Sequence, residues 1–314
     1  MPPFSQYAFL SWDFMKILLL GANGQVGWEL QRSLAPLGAL KVCGRTEADL
    51  EDLISLKKLI RQYAPEIIVN AAAYTAVDRA EEEQEKADLI NHRAVALLAN
   101  EAKQLNAWLI HYSTDYVFDG TKTNGYLETD QANPQSVYGA TKLQGEEAIR
   151  KSGCLHLIFR TSWVFAARGA NFAKTILRLA KQREELSIVA DQHGTPTSAE
   201  LIADSTALAL HHLQHCDNLI NLSGTYHLTA EGKTSWFGFA QYLIEEASQQ
   251  GFDLKTTVDK IQPIPTDEYP LPAKRPSNSQ LNSHKLTKTF GIRPPFWQTH
   301  AQRLITELLA QETS

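Results

Sequence analysis

Cysteine is scarce in this chain. The 314 residues hold three, Cys43, Cys154 and Cys216. None stands at metal-ligand spacing from another, and an odd number of isolated thiols suits a reducing compartment rather than a disulfide framework. Each reads as a small apolar residue. Long hydrophobic runs are missing too: no stretch approaches the ~20 residues that cross a bilayer, so no membrane role is expected. Nor do basic residues prevail. Thirty Lys and Arg face 35 Asp and Glu, for a formal charge of -5 and a pI near 6.1, whereas a nucleic-acid protein shows a basic patch or stripe. Internal repeats and low-complexity tracts are likewise lacking. What remains is an ordinary globular composition, 43% hydrophobic and 21% charged, in a chain long enough for one large domain or one large plus one small.

Residues 1–14 carry Pro2, Pro3 and several aromatics but no Lys or Arg, so they lack the charged start of a signal peptide. The fold pattern begins at Met15-Lys16-Ile17. Residues 1–14 are therefore expected to be a disordered N-terminal extension, with Met15 as the natural start. Apolar strand patterns follow at 16–20, 40–44, 66–70, 107–112 and 155–160. Helical patterns at 25–35, 53–63, 82–105 and 137–151 separate them. This alternation predicts an α/β fold, a doubly wound parallel sheet buried on both faces. After residue 160 it loosens into helices at 171–183, 198–213, 235–249 and 297–311, joined by proline-rich loops at 262–266 and 270–276.

The glycines have a pattern. Gly21-Ala22-Asn23-Gly24-Gln25-Val26-Gly27 follows the apolar run Ile17–Leu20 and opens a segment with helical spacing of Val26, Leu30 and Leu34. Strand, glycine turn and helix make the opening of a Rossmann-like dinucleotide site. Gly21 permits the turn, Gly24 admits the pyrophosphate and Gly27 lets helix meet strand, while the helix start offers free N–H groups. The expected division is an NAD(P)-binding core over 15–160 and a smaller C-terminal substrate-binding lobe, mainly 161–314, with segments returning to the core.

At the end of the second strand, an acid would favour NAD(H) and a base would accommodate the 2′-phosphate of NADP(H). Arg45 favours NADP(H); Glu47 and Asp49 keep NAD(H) open, and Asp49 and Leu50 are expected beside the adenosine. Small residues after the third strand, including Ala72 and Ala73, let a ribose or ring approach the backbone, with Tyr74 beside them. The fourth strand delivers Tyr112 to the cofactor and Thr114 to the reacting oxygen.

Tyr138 and Lys142 stand four residues apart, so on a helix they share one face. An ammonium beside a phenol favours the phenolate, which lets Tyr138 give and retake a proton below its free pKa of about 10. Hydride chemistry at a carbonyl needs such a group. Tyr138, Lys142 and Thr114 are the catalytic candidates.

Together these motifs resemble the extended short-chain dehydrogenase/reductase superfamily from residue 15 to nearly the end. Within it, Gly24–Leu30, Ala73–Asp78, His111–Phe118, Val137–Gly139, Arg160–Val164 and Arg275–Ser279 resemble the dTDP-4-dehydrorhamnose reductase family. The resemblance implies NAD(P)H-dependent reduction of the C4 ketone of dTDP-4-dehydro-L-rhamnose to dTDP-L-rhamnose, a donor for cell-surface polysaccharide, in the cytoplasm. It implies that Tyr138 protonates the oxygen, that Lys142 lowers its pKa and holds the nicotinamide ribose, and that Asp115 and Trp163 line the sugar or base site. Arg275 would take the diphosphate, as a planar guanidinium suits phosphate. The family also suggests a Mg²⁺-assisted homodimer in some members, through Glu29 and Glu200. Dehydratases of similar fold have a glutamate after the aspartate; here Tyr116 follows Asp115, a poor base that argues for plain reduction. Two alternatives stay open: an epimerase or reductase of another nucleotide sugar, and a non-catalytic regulatory subunit like that of methionine adenosyltransferase.

Overall fold

A computed structural model describes residues 15–215 and 219–312. Residues 1–14 and Cys216 lie outside the described residues. Six parallel strands build the central sheet: β1 (Met15–Leu20), β2 (Gly38–Cys43), β3 (Ile67–Asn70), β4 (Trp108–Thr114), β5 (His156–Thr161) and β6 (Gly224–His227). Their order is β6-β5-β4-β3-β1-β2. The chain leaves β1 for β2 on one side and crosses to β3 on the other, which makes the crevice beyond the carboxyl ends of β1 and β3 the place for a ligand.

Alternate residues on each strand feed opposite layers. Ile17, Leu19, Val69, Ile110 and Phe159 pack with Leu30 and Leu34 of α1 (Gln25–Leu34) and with Ile202 and Leu210 of a later helix. Leu18, Leu20, Ile68, Leu109 and Ile158 pack with α2 (Leu53–Tyr63) and α3 (Ala94–Leu105) on the other face. Each fully buried aliphatic side chain stabilises the fold by about 1.5–3 kcal/mol, and two-sided burial explains the near-continuous apolar strands.

Helix α4 (Val137–Ser152) covers the second face. Ser136 caps it by accepting from the Gly139 N–H at 3.2 Å, and Gly153 ends it with φ +67°. The predicted single helix over 82–105 is broken up in the structure. Short turns at Val77–Ala80 and Gln84–Asp88 lead into a wide-turn π segment, Leu89–Arg93, before α3. Sequence periodicity does not distinguish a π turn from an α turn.

Beyond β5, α5 (Phe172–Gln182), α6 (Ala199–Gln214), α7 (Trp236–Gln249) and α8 (Trp297–Glu312) appear as the periodicity predicts. Phe165, Leu177, Phe239, Leu243, Trp297 and Ile305 form their own apolar cluster, away from the sheet. Helix α6 instead returns to pack on α1. Strand β6 escaped the sequence pattern, being four residues of Gly-Thr-Tyr-His with no apolar run. Cys43 and Cys154 are buried free thiols. Among the described residues, no helix is long and apolar enough to cross a membrane.

Candidate active site

A cleft of about 600 Å³ opens at the carboxyl ends of β1, β3, β4 and β5. Its walls include Gly21, Gly24, Gln25 and Val26, then Arg45, Asp49 and Leu50, then Ala72 and Ala73, and finally Tyr112, Thr114, Asp115, Tyr138, Lys142 and Trp163. Residues scattered over 140 positions of sequence thus converge because parallel strands all end on one edge.

The glycine turn fits a dinucleotide. A Cβ on Gly27 would lie 2.0 Å from the Gly21 carbonyl oxygen, so only hydrogen there lets α1 begin tight against the turn. A Cβ on Gly24 would meet nothing nearer than 3.4 Å, which leaves open space at the helix start. No side chain caps the first-turn amides of α1, so they are available to an anion. Gly27 does not itself line the cleft.

Two glycines seat helix α4. Added Cβ atoms on Gly139 and Gly145 would lie 2.2 Å from the Tyr116 carbonyl and 2.3 Å from the Asn91 carbonyl. Helix α4 therefore rests on backbone at two points. Asn91, within the π segment, donates to the Tyr74 carbonyl at 3.1 Å and accepts from the Tyr74 N–H at 2.9 Å. It also donates to Thr141 Oγ1 at 3.3 Å.

Tyr138 is half-buried against Tyr116, with ring centroids 5.5 Å apart and planes at 76°. Its hydroxyl lies near enough to the Thr114 side chain to feel it. The Thr114 hydroxyl also donates to Asp115 Oδ1 at 3.0 Å and accepts from the Tyr116 N–H at 3.2 Å. Desolvation pushes the Tyr138 phenol up to about 12 and overrides the influence of Thr114, which acts downward. The expected depression by Lys142 is not what the structure shows. Lys142 Nζ donates to the Tyr112 carbonyl at 2.6 Å and lies 3.1 Å from His111 Nε2. Burial lowers its own pKa to about 8, against the upward pull of Glu146. Tyr116 is raised by burial and by Asp115, so it stays a phenol and makes no base for elimination.

Other predicted residues divide. Trp163 adopts φ +48°, a left-handed conformation rare outside glycine. Its ring stacks on Trp236 with centroids 3.5 Å apart and planes at 8°. Arg45 faces the cleft but is engaged by Asp49 and Glu51. Tyr74 turns away from the cleft and gives its hydroxyl hydrogen to Glu83 at 3.0 Å. Arg275 is held by Asp78 through two bonds of 2.9 and 2.8 Å and faces a second cavity beside Trp236.

Glu29 and Glu200 are close enough to interact: burial first, then the Glu200 charge, raises the Glu29 carboxyl. Other side chains of this chain already face both carboxylates, however. Arg32 lies 3.6 Å from Glu29, and His300 and Arg303 each lie 3.2 Å from Glu200. Nothing among the described residues supports Mg²⁺ between them. Among the described residues, no group of three His, Cys, Asp or Glu side chains is placed to hold a metal ion.

Sequence reasoning missed His111, Asn91, Glu146 and Trp236. A histidine inside the apolar run of β4 was a signal for the first; only packing reveals the others.

Fold and cleft define a reductase of the extended short-chain dehydrogenase/reductase superfamily. Residues 15–310 match the RmlD substrate binding domain family, and the chain belongs to this family, that of the dTDP-4-dehydrorhamnose reductases. It is 49% identical over 302 residues to the dTDP-4-dehydrorhamnose reductase of Escherichia coli K12, covering 94% of this chain and 98% of that protein. The enzyme of the same name from Burkholderia thailandensis is 49% identical over 298 residues, covering 95% and 100%. A Bacillus anthracis dTDP-4-dehydrorhamnose reductase solved in complex with NADP superposes with a TM-score of 0.83 at 33% identity, covering 93% and 99%. A Thermus thermophilus UDP-glucose 4-epimerase with NAD shares the fold, with a TM-score of 0.77 at 18% identity.

Proposed function

We propose that this protein reduces the C4 ketone of dTDP-4-dehydro-L-rhamnose to dTDP-L-rhamnose with NADPH, and with NADH as the lesser donor. The observation that carries the reading is the meeting of Tyr138 and Thr114 at the end of the cleft that the glycine turn begins. Relatives at 49% identity bear the name of this reaction, and NADP occupies the Bacillus anthracis enzyme.

Reduced nicotinamide supplies the hydride when bound; the glycine turn and the start of α1 would hold its pyrophosphate. Tyr138 gives its proton to the C4 oxygen, and the phenol form that burial favours keeps that proton present at neutral pH. Thr114 hydrogen-bonds the same oxygen and orients Tyr138. Lys142, in its protonated form, stabilises the phenolate left behind. Trp163 and Asp115 line the substrate end, and residues 161–314 supply most of the lobe that closes there. Arg275, steadied by Asp78, stands ready for a diphosphate, and Arg45 for the 2′-phosphate. A cytoplasmic homodimer is part of the same reading.

The test is NADPH oxidation with enzymatically prepared dTDP-4-dehydro-L-rhamnose. Wild type should turn over, and Tyr138→Phe should lose at least ~100-fold in kcat. Cofactor binding without turnover of this sugar would overturn the reading.

A further inference from the structure

His111 is fully buried within β4, and the chemistry just described does not use it. Its two ring nitrogens have one neighbour each. Asn70 Nδ2, at the end of β3, lies 3.2 Å from Nδ1, and Lys142 Nζ lies 3.1 Å from Nε2. The Asn70 amide is itself oriented, because its Oδ1 accepts from the Ala72 N–H at 3.2 Å. Asn70 therefore presents a donor to Nδ1, which must accept; the single ring proton then sits on Nε2 and faces the lysine.

We infer that His111, oriented by Asn70, is a positioning residue for the reductase reaction: it fixes the Lys142 amino group and sets how readily that group carries its proton. An Nε2–H directed at Nζ favours the neutral amine over the ammonium. The remaining groups around the pair are few. Glu146, one turn further along α4, acts upward on Lys142; it is held from β5 by Arg160 and from β4 by Ser113. The Tyr112 carbonyl accepts from Nζ, and Tyr138 shares the helix face. Asn70 joins His111 to the Ala71–Ala73 turn that lines the cofactor cleft, so the lysine and the cleft wall share one hydrogen-bonded chain.

The inference rests on the proposed reductase activity, and the experiment separates the two. Initial rates are measured with NADPH and dTDP-4-dehydro-L-rhamnose from pH 6 to 10 for wild type, His111→Leu, His111→Gln and Asn70→Asp. No turnover by wild type defeats the activity, and the inference with it. With wild type active, His111→Leu should lose ~30-fold in kcat while the sugar KM changes less than ~3-fold, and His111→Gln, which restores a polar partner, should recover most of the loss. Asn70→Asp keeps an acceptor for Ala72 and gives Nδ1 a carboxylate. That moves the ring proton to Nδ1 and turns Nε2 into an acceptor for the ammonium. The alkaline limb of kcat should rise by about one pH unit. If His111→Leu does not fold, Asn70→Asp and His111→Gln decide. An unmoved limb in Asn70→Asp, or a His111→Gln no better than His111→Leu, overturns the inference.

Discussion

Arg160 grips Glu146 inside the protein through its guanidinium Nε and Nη2, at 2.9 and 2.6 Å, directly behind the strand that ends in Thr114. Burial alone would raise the Glu146 carboxyl, yet the bonds and charge of Arg160, with help from Ser113 and Arg150, hold it below its ordinary value. Removing one member of such a pair strands the other in a dry interior. Arg160→Met should therefore lower unfolding free energy by about 3–5 kcal/mol in urea denaturation. The double variant Arg160→Met with Glu146→Leu should recover much of the loss. Additive losses would show that the pairing carries no special weight.

Asp115 is a buried carboxyl that burial raises to about 6 against downward pulls from Ser279 and Thr114. A folded-state pKa above the unfolded value means that the fold prefers the protonated acid. That preference is fully present below the unfolded value of 3.8 and is lost as pH rises through about 6. Asp115→Asn should accordingly raise the melting temperature at pH 8, by an effect of up to about 3 kcal/mol, and give no gain at pH 4. Equal shifts at both pH values would contradict this assignment.

Glu200 behaves in the opposite sense. The His300 hydrogen bond and the Arg303 contacts lower it to about 2, against burial. Its contribution is present above the unfolded value of 4.5 and lost as pH falls towards 2. With solvent screening of this surface-facing cluster, Glu200→Gln should cost about 1 kcal/mol at pH 7. Thermal melts should show the gap between variant and wild type narrowing below pH 4.

Gly27→Ala tests the turn. Its methyl group would sit 2.0 Å from the Gly21 carbonyl, so α1 must shift from the loop that would meet the pyrophosphate. A destabilisation of about 1–3 kcal/mol is expected from the overlap. NADPH affinity, followed by quenching of tryptophan fluorescence, should fall at least ~10-fold, since the anion site needs the loop and helix start together. Unchanged affinity would place the pyrophosphate elsewhere.

Much of this architecture was legible in the amino-acid order. Ile17–Leu20 and Ile67–Asn70 announced buried parallel strands because both faces of each are covered, and Gly21-x-x-Gly24-x-x-Gly27 announced the turn because backbone contact admits no side chain there. The Tyr138–Lys142 spacing likewise fixed a shared helix face. Less legible was what the lysine does with its proton: i, i+4 spacing says that two groups are neighbours, not which third group one of them prefers. His111 and the Tyr112 carbonyl come from a strand some thirty positions earlier. The partners that hold Tyr74 and Arg275 were hidden for a similar reason: nothing in the spacing joins Glu83 to the one or Asp78 to the other. Trp236 could be found only by folding, because its partner Trp163 lies in a loop whose backbone conformation no periodicity encodes.

Helix α4 meets the Tyr116 and Asn91 carbonyls through two positions that have no side chain. Its placement is consequently a matter of covalent bond lengths and atomic radii, quantities that no substitution elsewhere can alter. Repacking the neighbouring apolar layers could soften or stiffen the molecule without moving the phenol along the strand ends. A designer wishing to retarget the pocket to another sugar could thus rebuild the wall at Trp163 and Trp236 freely, while the reaction coordinate stays anchored to a mechanical stop.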